Sequence, residues 1–132
     1  MVALIDATDD FHATVRALFT KDPDDWMLPW AILPEVAYLV RRHGGFRVEL
    51  GFLDDVAAVR YNVDWGRDGD LLRATELNRQ YAGLEMGLVD AVVMATAERL
   101  KAHAIATLDR RHFGAVTLRG APSLLPPVKR RS

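Results

Sequence analysis

Three acids carry the chemistry this sequence offers: Glu35 in PEVAYLV, Asp90 in GLVDAVVMATA and Asp109 in HAIATLDRRHF. Asp90 opens a run in which Ala91, Val92, Val93, Met94, Ala95, Ala97 and Leu100 leave almost no polar side. A helix apolar nearly all round is buried, and an ionised carboxylate at its start needs a partner. Two roles meet that need. Asp90 caps the helix by accepting backbone N–H groups two or three residues on, or it ligates a metal ion at the helix N-terminus. Asp109 is open in the same way: it caps the turn formed by Arg110 to Phe113, or turns its carboxylate into a crevice beyond a strand end. Glu35 stands at the edge of the apolar stripe Ile32, Val36, Leu39 and Val40, about 90° from its centre at ~100° per residue. Taken alone, a Glu at that position is usually just a solvated side chain.

The elements that must position these acids follow from the hydrophobic pattern. Asp9 or Asp10 caps an expected helix running to about Phe19, with Phe11, Val15, Leu18 and Phe19 on one stripe. Asp22-Pro23-Asp24-Asp25 is a turn, and WMLPW reads as a short buried strand. The helix of the Ile32 stripe ends at Gly44-Gly45. A further helix from Val48 to Ala58 leads into VRYNV, a β-branched run suited to a strand. The helix expected from Asp70 to Tyr81 keeps Leu71, Ala74 and Leu77 inside. Another runs from Leu88 to His103, and strands are expected at Ala104 to Thr107 and at Ala115 to Leu118. Strands alternating with helices in this way make an α/β fold, a parallel sheet covered on both faces. Ligands bind beyond the carboxyl ends of such strands, which is where Asp109 falls.

Composition narrows the function classes. A chain of 132 residues, half of them hydrophobic and 27% charged, is long enough for one packed core and is not a disordered segment. It contains no cysteine, so disulfide frameworks and thiolate metal sites are excluded. No apolar run approaches the length of a membrane span, and a cytoplasmic, membrane-free protein is expected. The formal net charge is −1, so nucleic-acid affinity has no global field behind it and must come from local patches. Arg41-Arg42-His43, Arg110-Arg111-His112 and Lys129-Arg130-Arg131 are the candidates. Prolines crowd the end of the chain, so residues 122–132 are expected as a proline-rich basic tail on a single domain spanning 1–121.

PEVAYLV, GLVDAVVMATAERL and ATLDRRHF, with ATDDFHATVRAL as the early helix, resemble the PIN domain and, more narrowly, a VapC-type toxin of a bacterial toxin–antitoxin pair. The resemblance runs from about Leu4 to Leu118. It implies a PIN-like α/β fold, with a central parallel sheet of four to five strands and helices on both faces. It implies an endoribonuclease dependent on Mg2+ or Mn2+, in which Glu35, Asp90 and Asp109 match the family's acidic metal-binding positions. It implies an RNA substrate, a cognate VapB-type antitoxin and a homodimer. Phe46 and Phe52, with the early helices, are expected as exposed contact surfaces, and Arg110 and Arg111 as contacts to RNA phosphate. Their alternative role is to neutralise Asp109 or Glu98.

One departure from the family bears on the site. Its first acid ends the central strand in a hydrophobic–Asp–Thr/Ser pattern, and the register places that motif ahead of Met1. Asp6, in LIDAT, is read instead as a helix-terminus acid. On this reading the central strand is missing, or the start codon has been assigned too late. The missing acid keeps open a degenerate PIN domain that binds RNA or a protein without cutting.

Overall fold

The computed structural model describes residues 3–5, 26–106 and 110–125, with side chains described for 26–105 and 112–124. The expected early helix, the Asp22 to Asp25 turn, Asp6, Asp109 and the Lys129-Arg130-Arg131 patch lie outside the described residues.

Among the described residues five parallel strands form one sheet in the order β3-β2-β1-β4-β5. They are β1 (Ala3–Ile5), β2 (Trp26–Pro29), β3 (Val63–Asp64), β4 (Ala104–Ala106) and β5 (Ser123–Leu125). The fold is the expected α/β class, but its centre overturns one expectation. The run Ala3-Leu4-Ile5 is itself the middle strand, with Ala3 level with Trp26 on one side and with Ala104 on the other. The central strand is present, and Asp6 is the next residue after its carboxyl end. Three residues at the start of a chain show no alternation to read. Pairing on both flanks makes them a strand, and that is a tertiary effect.

Trp30–Ile32 continues β2 as a 3-10 turn, and α1 (Leu33–Ala57) follows with Pro34 in its first turn. Ile32, Val36, Leu39 and Val40 are all buried, as their spacing requires for one inward helical face. Gly45 interrupts α1 with φ 83° and ψ 178°, dividing it into two helical segments. Phe52, expected outside, is instead buried against Tyr61 with ring centroids 5.8 Å apart, while Phe46 is exposed under the Arg41 guanidinium. The expected VRYNV strand shrinks to Val63–Asp64. Its first residues are captured by the end of α1, where Ala58 N–H donates to the Asp54 carbonyl and Arg60 N–H to that of Asp55. Val59 turns left-handed there, with φ 59°.

At the start of helix α2 (Asp68–Gln80) the Asp70 carboxylate accepts the Arg67 N–H at 3.0 Å, and the Asp70 N–H donates to the Arg67 carbonyl at 2.9 Å. Its inner face is Asp70, Ala74 and Leu77, whereas Leu71, expected inside, is 57% exposed. A carboxylate holds the inward position because an arginine on the next helix meets it, as described below. Helix α3 (Leu88–Leu100) is buried through every residue from Ala91 to Ala97, as its composition predicts. It stops short of His103 because Lys101 turns left-handed, with φ 52°. Burying such side chains fully contributes roughly 1.5–3 kcal/mol each for the larger aliphatics.

Helix α4 (Arg110–Phe113) is a single turn. The strand expected at Ala115 to Leu118 is not formed. Val116 and Leu118 are buried from a loop, and the last strand is β5, inside the segment expected as a tail. Val116 and Leu118 alternate like a strand simply because both point into the core. The sheet therefore extends past the boundary expected after residue 121.

Gly66 permits a close approach at the carboxyl end of β3. Its φ is +85°, and a Cβ there would stand 2.5 Å from Trp30 Nε1. Its N–H donates to the Asp64 carboxylate at 2.9 Å, closing a tight turn. Gly66→Ala is expected to lower stability by about 1–3 kcal/mol through the left-handed backbone alone, with the indole clash added. A urea midpoint unchanged from wild type would contradict this.

Candidate active site

A parallel sheet directs every strand's carboxyl end to one edge. Beyond β2 the chain enters the 3-10 turn and then α1, whose first turn holds Glu35. Beyond β4 it passes Asp109 and enters α4. The third acid arrives on α3. Ala31 of the 3-10 turn packs with Ala74, Ala91, Val92 and Ala95, so the start of α1 and the start of α3 adjoin through small side chains. Glu35 and Asp90 thus lie in the first turns of two neighbouring helices. Glu35 is exposed at the rim, and Asp90 is recessed, its side chain 18% exposed. Carboxylates are favoured at both places by the positive end of the helix dipole.

The helix boundary decides against a plain capping role for Asp90. The N-cap of α3 is Gly87, with φ 87° and ψ −163°, and no side chain caps it. Asn78 holds this residue from α2: its side-chain carbonyl accepts the Gly87 N–H at 3.0 Å and its amide donates to the Gly87 carbonyl at 2.9 Å. Asp90 therefore stands inside the first turn. Its carboxylate meets His112 of α4, with Nδ1 2.6 Å from Oδ2.

In the sequence His112 is marked only as part of a basic patch. Nothing in its local spacing signals a bond to a residue 22 positions away. Arg110 and Arg111 belong to α4, but their side chains lie outside the described residues, as does Asp109. Among the described residues no group of three or more His, Cys, Asp or Glu side chains is placed to hold a metal ion. Asp6 and Asp109 fall outside that set.

Two further charge clusters went unread because their members sit on different elements. Arg99, in the last turn of α3, donates to both oxygens of Asp70, at 2.8 and 3.0 Å, and also to Asp64 at the end of β3. The hydrogen bond to Asp70, more than the contact with Asp64, holds the guanidinium above its ordinary pKa against the effect of burial. Arg73 of α2 grips Glu98 in a fork, at 2.6 and 3.1 Å, and the Arg119 N–H adds a third bond at 2.9 Å. Burial raises the Glu98 pKa, but the hydrogen bonds from Arg73 and from the Arg119 backbone outweigh it and leave the carboxyl below its usual range. These partners take up Glu98, the second acid proposed for Arg110 and Arg111. Both clusters tie α3 to its neighbours, away from the start of the helix that carries Asp90.

The PIN domain model matches residues 1–117. Ribonuclease VapC26 of Mycobacterium tuberculosis is 28% identical over 116 residues, which are 88% of this chain and 86% of that protein. Two crystal structures share the fold. VapC20 of Mycobacterium tuberculosis, a sarcin–ricin loop cleaving toxin, superposes with a TM-score of 0.68 at 18% identity, over 89% of this chain and 97% of that one. VapBC2 from Rickettsia felis, bound to a DNA fragment from its promoter, superposes with a TM-score of 0.64 at 14% identity, over 94% of this chain and 97% of that one. No helix among the described residues is long and apolar enough to cross a membrane.

Proposed function

Since the chain belongs to the PIN domain family, we propose that it is a metal-dependent endoribonuclease, the toxin of a toxin–antitoxin pair. The observation that carries this reading is the position of β1. It lies beside β4 with Ile5 level with Ala106, and the residues that follow these two strands include Asp6 and Asp109. We assign Asp6 to the family's first acid on this ground, which favours a nuclease over a degenerate domain. Glu35 and Asp90 stand in the first turns of helices α1 and α3, and on this reading Asp6 and Asp109 complete the acidic set.

The donor set suits the implied cation. Oxygen ligands are those that Mg2+ or Mn2+ prefers, and the sequence has no thiolate to select a softer metal. Asp6, Glu35, Asp90 and Asp109 would hold the ion, which when bound supplies an activated water and stabilises charge on the scissile phosphate. Asp90 would hold it through a carboxylate that is hydrogen-bonded to His112. Arg110 and Arg111, beginning α4 directly after Asp109, would grip a flanking phosphate of the RNA. A rim of acids with only local cations suits unpaired loops, whose bases are splayed out, over a duplex groove. The kinship with VapC26 and the VapBC2 complex supports a VapB-type antitoxin as partner. Tyr38, Phe46, Val48 and Leu53 are exposed apolar side chains along α1, available as contacts for that partner or for a second copy in a homodimer.

The purified protein is expected to cut a single-stranded RNA loop in Mn2+ or Mg2+, to stop on chelation and to resume when the ion returns. RNA bound but uncut in saturating Mn2+ would move the reading to a PIN domain that binds without cleaving.

A further inference from the structure

We propose that His112 is a positioning residue for the cleavage site, locking the plane of the Asp90 carboxylate so that it meets a divalent cation in one orientation. The proposal rests on the reading of Asp90 as a cation ligand. Its observation is the contact of 2.6 Å between Nδ1 of His112 and Oδ2 of Asp90. An ionised carboxylate can only accept, so the ring nitrogen facing it carries the hydrogen. The distance is at the short end for hydrogen bonds to a charged group. Both side chains are largely withdrawn from solvent, 16% and 18% exposed, so water competes weakly for either end.

Both ends of the bond stand on pinned backbone. Phe113, the neighbour of His112, is 4% exposed within the main core and anchors the single turn of α4. Ala91, the neighbour of Asp90, is fully buried, and the Asn78 clamp on Gly87 fixes where α3 begins. A ligand carboxylate left to rotate would lose that freedom on binding the ion, whereas one already held loses little. Groups that hydrogen-bond a metal ligand from behind in this way tune affinity by about 10–100-fold.

Amide substitutions separate this role from packing. The side-chain nitrogen of Asn overlays Nδ1 of histidine, and that of Gln overlays Nε2. Calorimetric titration with Mn2+ is therefore compared across wild type, His112→Asn, His112→Gln, His112→Leu and Asp90→Asn. Gln and Leu are expected to weaken Mn2+ binding by about 10–100-fold, while Asn stays close to wild type. Leu binding like wild type, or Asn and Gln weakening alike, overturns the positioning role while Asp90→Asn still loses the ion. Should His112→Leu fail to fold, the Asn and Gln pair decides the question. Wild-type Mn2+ affinity in Asp90→Asn would overturn the ligand reading itself, and this proposal with it.

Discussion

Asp90→Asn is expected to lower metal-dependent RNA cleavage by on the order of a thousandfold or more, while shifting stability by only about 1 kcal/mol. The rate effect follows from a ligand bond: stabilisation of charge by a bound cation is worth several kcal/mol in the transition state, and each 1.36 kcal/mol is a factor of ten. The small stability effect follows from the helix boundary. Gly87 occupies the N-cap, so Asp90 contributes the attraction of one charge for the helix dipole, about 0.3–1 kcal/mol, and a bond to His112 that an amide oxygen can still accept. Turnover of an RNA loop in Mn2+, beside urea midpoints, checks both halves. A variant that still cleaves at the wild-type rate but melts early would make Asp90 a structural residue.

The largest stability effect is expected at Arg99. Its guanidinium serves Asp70, whose side chain is 6% exposed, and Asp64, at 13%. Arg99→Met keeps the length of the side chain and removes the charge, leaving two recessed carboxylates facing each other. Breaking a buried ion pair from one side costs about 3–5 kcal/mol, a large part of the roughly 5–15 kcal/mol that holds a domain together. Neutralising the acids as well, by Asp64→Asn and Asp70→Asn, is expected to recover part of the loss, because the penalty lies in the uncompensated charges. A loss below 1 kcal/mol in Arg99→Met by urea denaturation would show that solvent already screens the cluster.

The sequence displayed what periodicity encodes. The Ile32-Val36-Leu39-Val40 stripe, the fully buried run from Ala91 to Ala97, and the helix break at the glycine pair all stand as their spacing requires. It concealed what only pairing decides. Ala3-Leu4-Ile5 becomes the sheet's centre by having partners on two sides, and Ser123–Leu125 becomes an edge strand by lying against β4. Val116 and Leu118 mimic a strand by alternating inward from a loop. The same divide runs through the site. Glu35, Asp90 and Asp109 were marked by family motifs, while His112 and the Arg99 hub arise from contacts between helices distant in the chain. Asp6 reads as a helix-terminus acid because only two residues separate it from Asp9, yet the three residues before it form the middle strand of the sheet.

The order of the strands also dictates a schedule. Ala3 pairs with Ala104, about a hundred residues later. The middle of the sheet therefore cannot close until the whole intervening stretch has been synthesised, and contacts so distant in sequence form slowly. Asp90 and Asp109 emerge late as well. On the proposed function, a nascent chain would carry no assembled cleavage centre until these distant segments meet, and the topology would set a delay between synthesis and activity.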